Sequence, residues 1–288
     1  MTRISGAALS HSGKGRAQLP EGAGDGVAEE RSDGNQLLSP AHSGPGWALY
    51  HGDCLIVLPQ LPEASVDLIT ADPPYNLSND GTTCKSGKRA SVNKGGWDRS
   101  HGLETDHAFH AAWLRACRRV LAPTGTLWVS GTRHCIFSIG WAMQQQGWHI
   151  LNLVTWFKPN GSPNLGCRTF TESSELLIWA APRATKPLAH TFNYRDLKQA
   201  NGGKQLRDTW SIPAPSRREK AGIKHPTQKP IALLERIVGA SSAPGDVVLD
   251  PFGGSMTAGA AALAGGRRFI GIDGDAKWIE AGARRLAR

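Results

Sequence analysis

The chain from residue 230 onward alternates between helix-like and strand-like segments, and this alternation constrains the fold more than any other feature. Residues 230–241, PIALLERIVGAS, place apolar residues on one helical face, and residues 246–250, DVVLD, are typical of a short buried strand. A small-residue helix over 256–266, a strand over 267–273 and a helix over 276–286 are expected to follow. Strands that alternate with helices form a mostly parallel sheet with helices on both faces. The pattern therefore predicts an α/β fold of this kind.

The middle of the chain carries further segments of the same two kinds. Strands are predicted over 65–71, 126–131, 149–157 and 173–181, and helices over 105–125 and 134–147. Thr105 or Asp106 is expected to cap the first of these helices, and Pro123 and Gly125 are expected to end it. The whole pattern fits one large α/β domain.

Three stretches lack a regular pattern. Residues 1–45 are rich in Gly, Ser and charge and poor in large apolar residues, which predicts a disordered tail before a domain over 46–288. Residues 78–102 form a long loop, and residues 183–224 are basic and polar with isolated aromatics. Because loops of such length inside a compact domain are usually functional or disordered, both internal stretches are candidate contact regions.

Composition narrows the class of protein only in part. The chain has 33 Lys and Arg against 24 Asp and Glu, a net charge of +9, which favours a polyanionic partner. No apolar run is as long as a membrane span and the N-terminus lacks the apolar core of a signal peptide, so a cytoplasmic protein without membrane contact is expected. The five cysteines are scattered without CxxC or zinc-like spacing, so no metal site is predicted.

Two predicted strands end in residues suited to a ligand site. One reads DLITADPPY and the other VVLDPFGGSMTAG, and ligands of open parallel sheets bind beyond the carboxyl ends of strands. The glycine turn allows close backbone approach, and Asp273, at the end of the next strand, is placed to accept hydrogen bonds from ribose hydroxyls. The turn fits neither GxGxxG nor GxxxxGK[ST], which argues against a dinucleotide site and a P-loop. Alternatively, the turn is a common connection and Asp273 is a helix cap.

The stretch Asp72-Pro73-Pro74-Tyr75 suggests chemistry at an aromatic amine. Two acceptors, the Asp72 carboxylate and the Pro73 carbonyl, could bind both N–H bonds of such an amine and stabilise the positive charge that forms on it. Proline has no competing N–H and holds its carbonyl rigidly, while Tyr75 offers a flat face for stacking. The alternative is a turn that simply ends the strand.

The order of these motifs resembles the β class of DNA amino-methyltransferases, which use S-adenosylmethionine. In this chain DPPY precedes HPTQKP (225–230), which precedes DPFGGSMT, and the similarity runs from about Gly52 to Arg288. The resemblance implies a Rossmann-like methyltransferase fold with a circularly permuted motif order, and a flipped target base. It implies catalytic roles for Asp72, Pro73, Pro74 and Tyr75. It also implies cofactor contacts from Asp53, Asp72, Thr227, Lys229, Asp250, Phe252, Gly254, Ser255 and Asp273, with Thr227 and Lys229 near the methionine end.

The chain departs from the family pattern at one position, and the resemblance leaves two alternatives to adenine methylation. Met256 stands where the family usually has glycine, which puts cofactor affinity in question. In this family Asp before Pro-Pro-Tyr is usual for adenine N6 and Ser for cytosine N4, so Asp72 favours adenine. A cytosine-N4 or RNA methyltransferase, and a catalytically silent DNA-binding protein of the same fold, are the alternatives.

Methylation of an amine inside duplex DNA requires base flipping, so DNA contacts are expected around the site. The candidates are basic residues of the two irregular stretches, with 183–224 as the target-recognition insert: Lys85, Lys88, Arg89, Lys94, Arg207, Arg217 and Arg218. The alternative is a solvated basic surface. Trp97 and Trp210 are expected to be packing residues. A cognate restriction endonuclease and a second copy of the chain are further candidate partners.

Overall fold

The computed structural model describes residues 38–78, 82–85, 88–91, 94–220, 222–223 and 225–288. The strands are β1 His42–Gly44, β2 Trp47–His51, β3 Val66–Ala71, β4 Thr82–Lys85, β5 Lys88–Ser91, β6 Leu121–Gly131, β7 His149–Phe157, β8 Ser174–Ala181, β9 Thr209–Ser211, β10 Val247–Asp250 and β11 Arg268–Asp273. The α-helices are α1 Cys54–Val57, α2 Leu103–Val120, α3 Ile136–Gln145, α4 Tyr194–Ala200, α5 Ile231–Ser241, α6 Thr257–Ala264 and α7 Ala276–Leu286.

Nine of these strands form one mixed sheet in the order β1-β2-β11-β10-β3-β6-β8-β7-β9. The five central strands from β2 to β6 pair in parallel, whereas β8 runs antiparallel to both of its neighbours. Apolar residues of the sheet pack against α2 and α3 on one face and against α5 and α6 on the other. The predicted α/β class, with helices on both faces of a mostly parallel sheet, is confirmed.

Strand pairing explains how a permuted motif order still produces one site. Strand β3, which carries the DPPY motif at its end, pairs in parallel with β10, which precedes the glycine turn; Leu68 lies opposite Val248. On its other side β10 pairs with β11, and β11 pairs with β2 so that Asp273 lies opposite His51. Because all four strands are parallel, their carboxyl ends meet at one edge of the sheet.

Several predicted boundaries differ from the observed ones. Regular structure begins before residue 46, because His42–Gly44 pairs with β2; residues 1–37 lie outside the described residues. Helix α2 starts at Leu103 after Gly102, and its predicted cap Asp106 instead accepts hydrogen bonds from Ser100 and His101. The residues expected to end this helix, Pro123 and Gly125, lie in β6, where the pairing register with β3 shifts.

The two irregular stretches contain short strands and a helix that their sequences do not predict. Strands β4 and β5 form an antiparallel hairpin inside the long basic loop. The 183–224 stretch contributes helix α4 and the edge strand β9, which pairs in parallel with β7. Helix α4 has no buried residue, so it lies on the surface of the domain. None of the helices in the described part of the chain is long and apolar enough to cross a membrane.

Candidate active site

A cavity of about 600 Å³ opens at the carboxyl edge of the four parallel strands. The segments that follow these strands line it, together with residues from α2, α5 and α7. Its volume lies in the range of small-molecule sites, and its position is where open α/β sheets bind ligands. The predicted site residues that line it are Asp53, Asp72, Pro74, Thr227, Lys229, Asp250, Phe252, Gly254, Ser255 and Asp273.

The glycine turn after β10 is held against the end of β11. The Gly253 N–H donates to the Ile272 carbonyl at 2.8 Å, and the Gly254 N–H donates to the Asp273 carboxylate at 2.7 Å. Gly254 has φ +48°, a left-handed conformation that glycine adopts without strain. Asp273 thus shapes the turn as well as lining the cavity. The alternative role of Asp273 as the cap of α7 is wrong, because Asp275 caps that helix.

Met256 sits outside the cavity although it replaces a family glycine. Its backbone has φ +52°, a conformation that costs a non-glycine residue about 1 kcal/mol. Its side chain is fully buried in the core beside α7, in space that three glycines leave free: a Cβ on Gly253 or Gly271 would lie 2.5 or 2.8 Å from it, and one on Gly282 would overlap it. The side chain therefore does not obstruct the cavity.

The acidic residues at the strand ends differ in their partners. Asp53 caps α1 by accepting from the Leu55 N–H at 2.8 Å, and Asp250 accepts from the Phe252 N–H at 3.0 Å. Burial raises the pKa of Asp250 to about 8, with Asp72 and Asp273 adding to the rise. Near neutral pH this carboxyl therefore retains its proton in the absence of a cation, and a bound ammonium group would favour its ionised form.

Aromatic side chains also line the cavity. The Phe252 ring contacts Trp113 edge-on at 5.4 Å between centroids and Phe109 at 6.2 Å. His225 packs edge-on against Trp278 at 4.5 Å, and burial followed by the nearby Lys229 lowers its pKa to about 4, so its imidazole is neutral. His225 and Trp278 line the cavity but were not predicted, although His225 begins the HPTQKP motif.

Next to the cavity, five polar side chains form a buried charge network. The Lys229 ammonium lies 2.7 Å from the Asp72 carboxylate and 3.2 Å from that of Glu175, and it donates to the Tyr75 hydroxyl at 3.1 Å. The Tyr75 hydroxyl lies within hydrogen-bonding distance of Asp72 at 2.7 Å and of Glu175 at 3.0 Å, and Lys158 donates to Glu175 at 3.0 Å. The network contains two carboxylates and two ammonium groups, so its formal charges balance.

The two ammonium groups favour the ionised forms of the carboxyls in this network. Burial disfavours the charged form of Lys229, but Asp72 and Glu175 outweigh it and raise the pKa of Lys229. Burial raises the pKa of Asp72, which Lys229 opposes. Burial also raises the pKa of Glu175, but Lys229 and Lys158 outweigh this effect and lower that pKa below its usual value. Glu175 and Lys158 were missed, because neither lies in a recognisable motif.

The charge network holds both Tyr75 and Lys229. The Tyr75 ring is buried and does not line the cavity, and the Lys229 ammonium lies 4.9 Å from its centroid. The Tyr75 face is therefore not open for stacking unless one of these side chains moves. Lys229 lines the cavity, but its ammonium is held by Asp72 and Glu175.

Trp97 and Trp210 fall into different environments. Trp97 is 47% exposed and lines the cavity, so its assignment as a packing residue is wrong. Trp210 is buried beside Trp128, with ring centroids 5.5 Å apart, as a packing residue should be.

The candidate DNA-contacting residues also separate by exposure. Lys88, Arg207, Arg217 and Arg218 are exposed, and Arg207 lines an open depression with Lys198, Lys204 and Arg236. Lys94 is half-buried, and burial lowers its pKa. For Lys85 and Arg89 the structure describes only the backbone, in β4 and β5.

Comparison with known proteins decides the family. The model of the N6/N4 DNA methylases, described as DNA methylase, matches residues 66–284. The chain belongs to this family. Type II methyltransferase M2.DpnII of Streptococcus pneumoniae is 43% identical over 258 residues, which cover 90% of this methyltransferase and 96% of the relative. M2.MboI of Moraxella bovis is 44% identical over 237 residues, covering 82% and 86%.

Solved structures share the architecture of the methyltransferase. The M1.HpyAVI–SAM complex aligns with a TM-score of 0.62 and 26% identity, covering 84% of this chain and 100% of the other. PvuII DNA methyltransferase, described as cytosine-N4-specific, aligns with a TM-score of 0.69 over 86% and 88% of the two chains, and at 20% identity it supports the fold alone. The chain is thus an S-adenosylmethionine-dependent DNA methyltransferase with permuted motif order.

Proposed function

We propose that this methyltransferase transfers a methyl group to the exocyclic N6 of a flipped adenine in duplex DNA. The observation that carries the proposal is the position of Asp72-Pro73-Pro74-Tyr75 at the end of β3, beside the cavity, with an acid rather than a serine in first place. The Type II names of the relatives support a role beside a restriction endonuclease of the same specificity. A homodimer stays a prediction.

The cavity fits S-adenosylmethionine by the chemistry of its groups. Asp53 and Asp273 offer carboxylates for ribose hydroxyls, and Phe252 offers an aromatic surface beside them. Asp250 offers a buried carboxyl whose ionised form an ammonium group would favour. The Thr70 hydroxyl, which borders the cavity, has no hydrogen-bond partner among the described residues. When bound, the cofactor supplies an electrophilic methyl group on a sulfonium.

The protein contributes acceptors and fixed charges at the site of transfer. An amine delocalised into an aromatic ring is a poor nucleophile, and acceptors on its N–H bonds stabilise the charge that forms during attack. Asp72 is such an acceptor, with the Pro73 carbonyl as the second. Lys229 favours the ionised form of Asp72, and an ionised acceptor makes the stronger hydrogen bond.

Lys229 must yield part of its contact when the target amine binds. Both Asp72 oxygens have partners in the structure: the Lys229 ammonium lies near both, and the Tyr75 hydroxyl contacts one of them. An incoming N–H competes for the same oxygens, and stacking on Tyr75 needs space near the Lys229 ammonium. Glu175 can retain Lys229 during this exchange, because it lies 3.2 Å from the same ammonium.

The test is transfer of tritiated methyl groups to duplex DNA by the wild-type protein and by Asp72→Ala. Wild type should label DNA, and the variant should lose transfer while it still folds and binds DNA. Transfer by Asp72→Ala at the wild-type rate would exclude the proposed acceptor. Failure of the wild-type protein to label any DNA, with cofactor bound, would favour the silent DNA-binding protein. The position of Met256 outside the cavity argues against this alternative.

A further inference from the structure

We propose that Asp98 is the positioning residue of the catalytic loop, residues 72–78, a role that rests on the proposed function. Its side chain is 2% exposed, in a single 3₁₀ turn over Gly96–Asp98, and no motif marks it. One carboxylate oxygen accepts from the N–H groups of Tyr75 and Asn76, both at 2.9 Å. The other accepts from the Leu77 N–H at 3.2 Å and from the Ser78 hydroxyl at 2.9 Å.

These four donors follow directly on the two prolines of the catalytic loop. Pro73 and Pro74 have no N–H, so they cannot tie the loop to its surroundings by backbone donors. The first three N–H groups after them all point to one carboxylate, and hydrogen bonds to a charged acceptor are stronger than neutral ones. Asn76 has φ +59°, which is unfavourable for a residue with a side chain and needs such support. Asp98 thus fixes the direction in which the Pro73 carbonyl and the Tyr75 ring leave the strand.

Asp98 also joins this loop to the segment that carries the hairpin of β4 and β5. The Ser78 hydroxyl donates to Asp98 and accepts from the Lys94 N–H at 2.8 Å, and the Ser78 N–H donates to the Asp98 carbonyl at 3.1 Å. Both ends of the segment that carries β4 and β5 therefore meet at Ser78, which two hydrogen bonds join to Asp98. Its neighbour Trp97 lines the cavity. The catalytic loop, the hairpin and one cavity wall share a single anchor.

The test compares Asp98→Asn with Asp106→Asn. Asparagine keeps one acceptor oxygen but presents an NH₂ group to the Leu77 N–H, so two of the four bonds lose their acceptor. Because a misplacement of about 1 Å can cost about 100-fold in rate, kcat on duplex DNA should fall by roughly 100-fold in Asp98→Asn. The cofactor Kd should stay within about threefold of the wild-type value, since the lost hydrogen bonds orient the catalytic loop for methyl transfer. Asp106 also accepts from a backbone N–H and a serine hydroxyl, outside the catalytic loop, and its variant should keep the wild-type kcat.

The outcomes separate this inference from the proposed function. If wild type methylates adenine and Asp98→Asn does so at the same kcat, the positioning role is wrong while the function stands. An equal loss of cofactor affinity and kcat would show that Asp98 has only a structural role, and this result would also overturn the positioning role. Should Asp98→Asn not fold, Ser78→Ala removes one of the four donors and should lower kcat while cofactor Kd is retained; an unchanged kcat there would contradict the anchor.

Discussion

The raised pKa of Asp250 makes the stability of the protein depend on pH, and one substitution should remove this contribution. The unfolded carboxyl titrates near its usual value of 3.8, and the folded one at about 8. Between these values the folded state holds one proton more than the unfolded state, so stability falls as pH rises. Each pH unit changes the free energy of unfolding by about 1.4 kcal/mol, which gives about 2.7 kcal/mol between pH 5 and pH 7. Asp250→Asn has no such proton and should lack this loss.

Urea unfolding of both proteins at pH 5, 6 and 7, without cofactor, measures this difference. The stability of Asp250→Asn relative to wild type should increase by about 2.7 kcal/mol between pH 5 and pH 7. Its affinity for S-adenosylmethionine should fall, because an amide cannot neutralise an ammonium group. Asp246→Asn is the matched control: its carboxylate is partly exposed and accepts from the Ala243 N–H, so this variant measures what the same Asp-to-Asn change does outside the cavity. Parallel pH profiles for wild type and Asp250→Asn would refute the burial argument.

Three further predictions follow from the same contacts. Gly282→Ala should destabilise the protein by about 1–3 kcal/mol in thermal unfolding through overlap with Met256, and most of that loss should disappear in a Met256→Ala background; additive effects would contradict the overlap. Lys229→Met should raise the pKa of Asp72, so methyl transfer should fall and recover as pH rises, and a wild-type pH profile would contradict this. Lys88→Ala should lower the salt slope of DNA binding by about 1, and an unchanged slope would place this exposed lysine outside the interface.

The part of the site that lies in strand ends could be predicted from the sequence. Parallel strands share one carboxyl edge, so the residues at the carboxyl ends of β3, β10 and β11 had to meet, and Asp72, Asp250 and Asp273 all border the cavity. The same reasoning identified the sheet and the major helices, because their apolar periodicity reflects burial on two faces.

The residues that the sequence did not reveal depend on tertiary burial. Glu175 lies on β8 and Lys158 directly follows β7, with no neighbouring motif, and only the packing of those strands beside Asp72 makes them part of the site. Asp98 lies 23 residues after Tyr75, whose N–H it accepts, and a lone acid after a tryptophan carries no signal of that contact. Strand β1 falls in the predicted tail because its three residues include no large apolar side chain and are too few to show a period.

Nucleoside mass spectrometry tests the central claim most directly. Unmethylated genomic DNA is incubated with the purified protein and S-adenosylmethionine, digested to nucleosides and compared with a reaction that contains Asp72→Ala. We predict a new N6-methyladenine signal that requires Asp72. A new N4-methylcytosine signal, without N6-methyladenine, would contradict the assignment of the target base from Asp72.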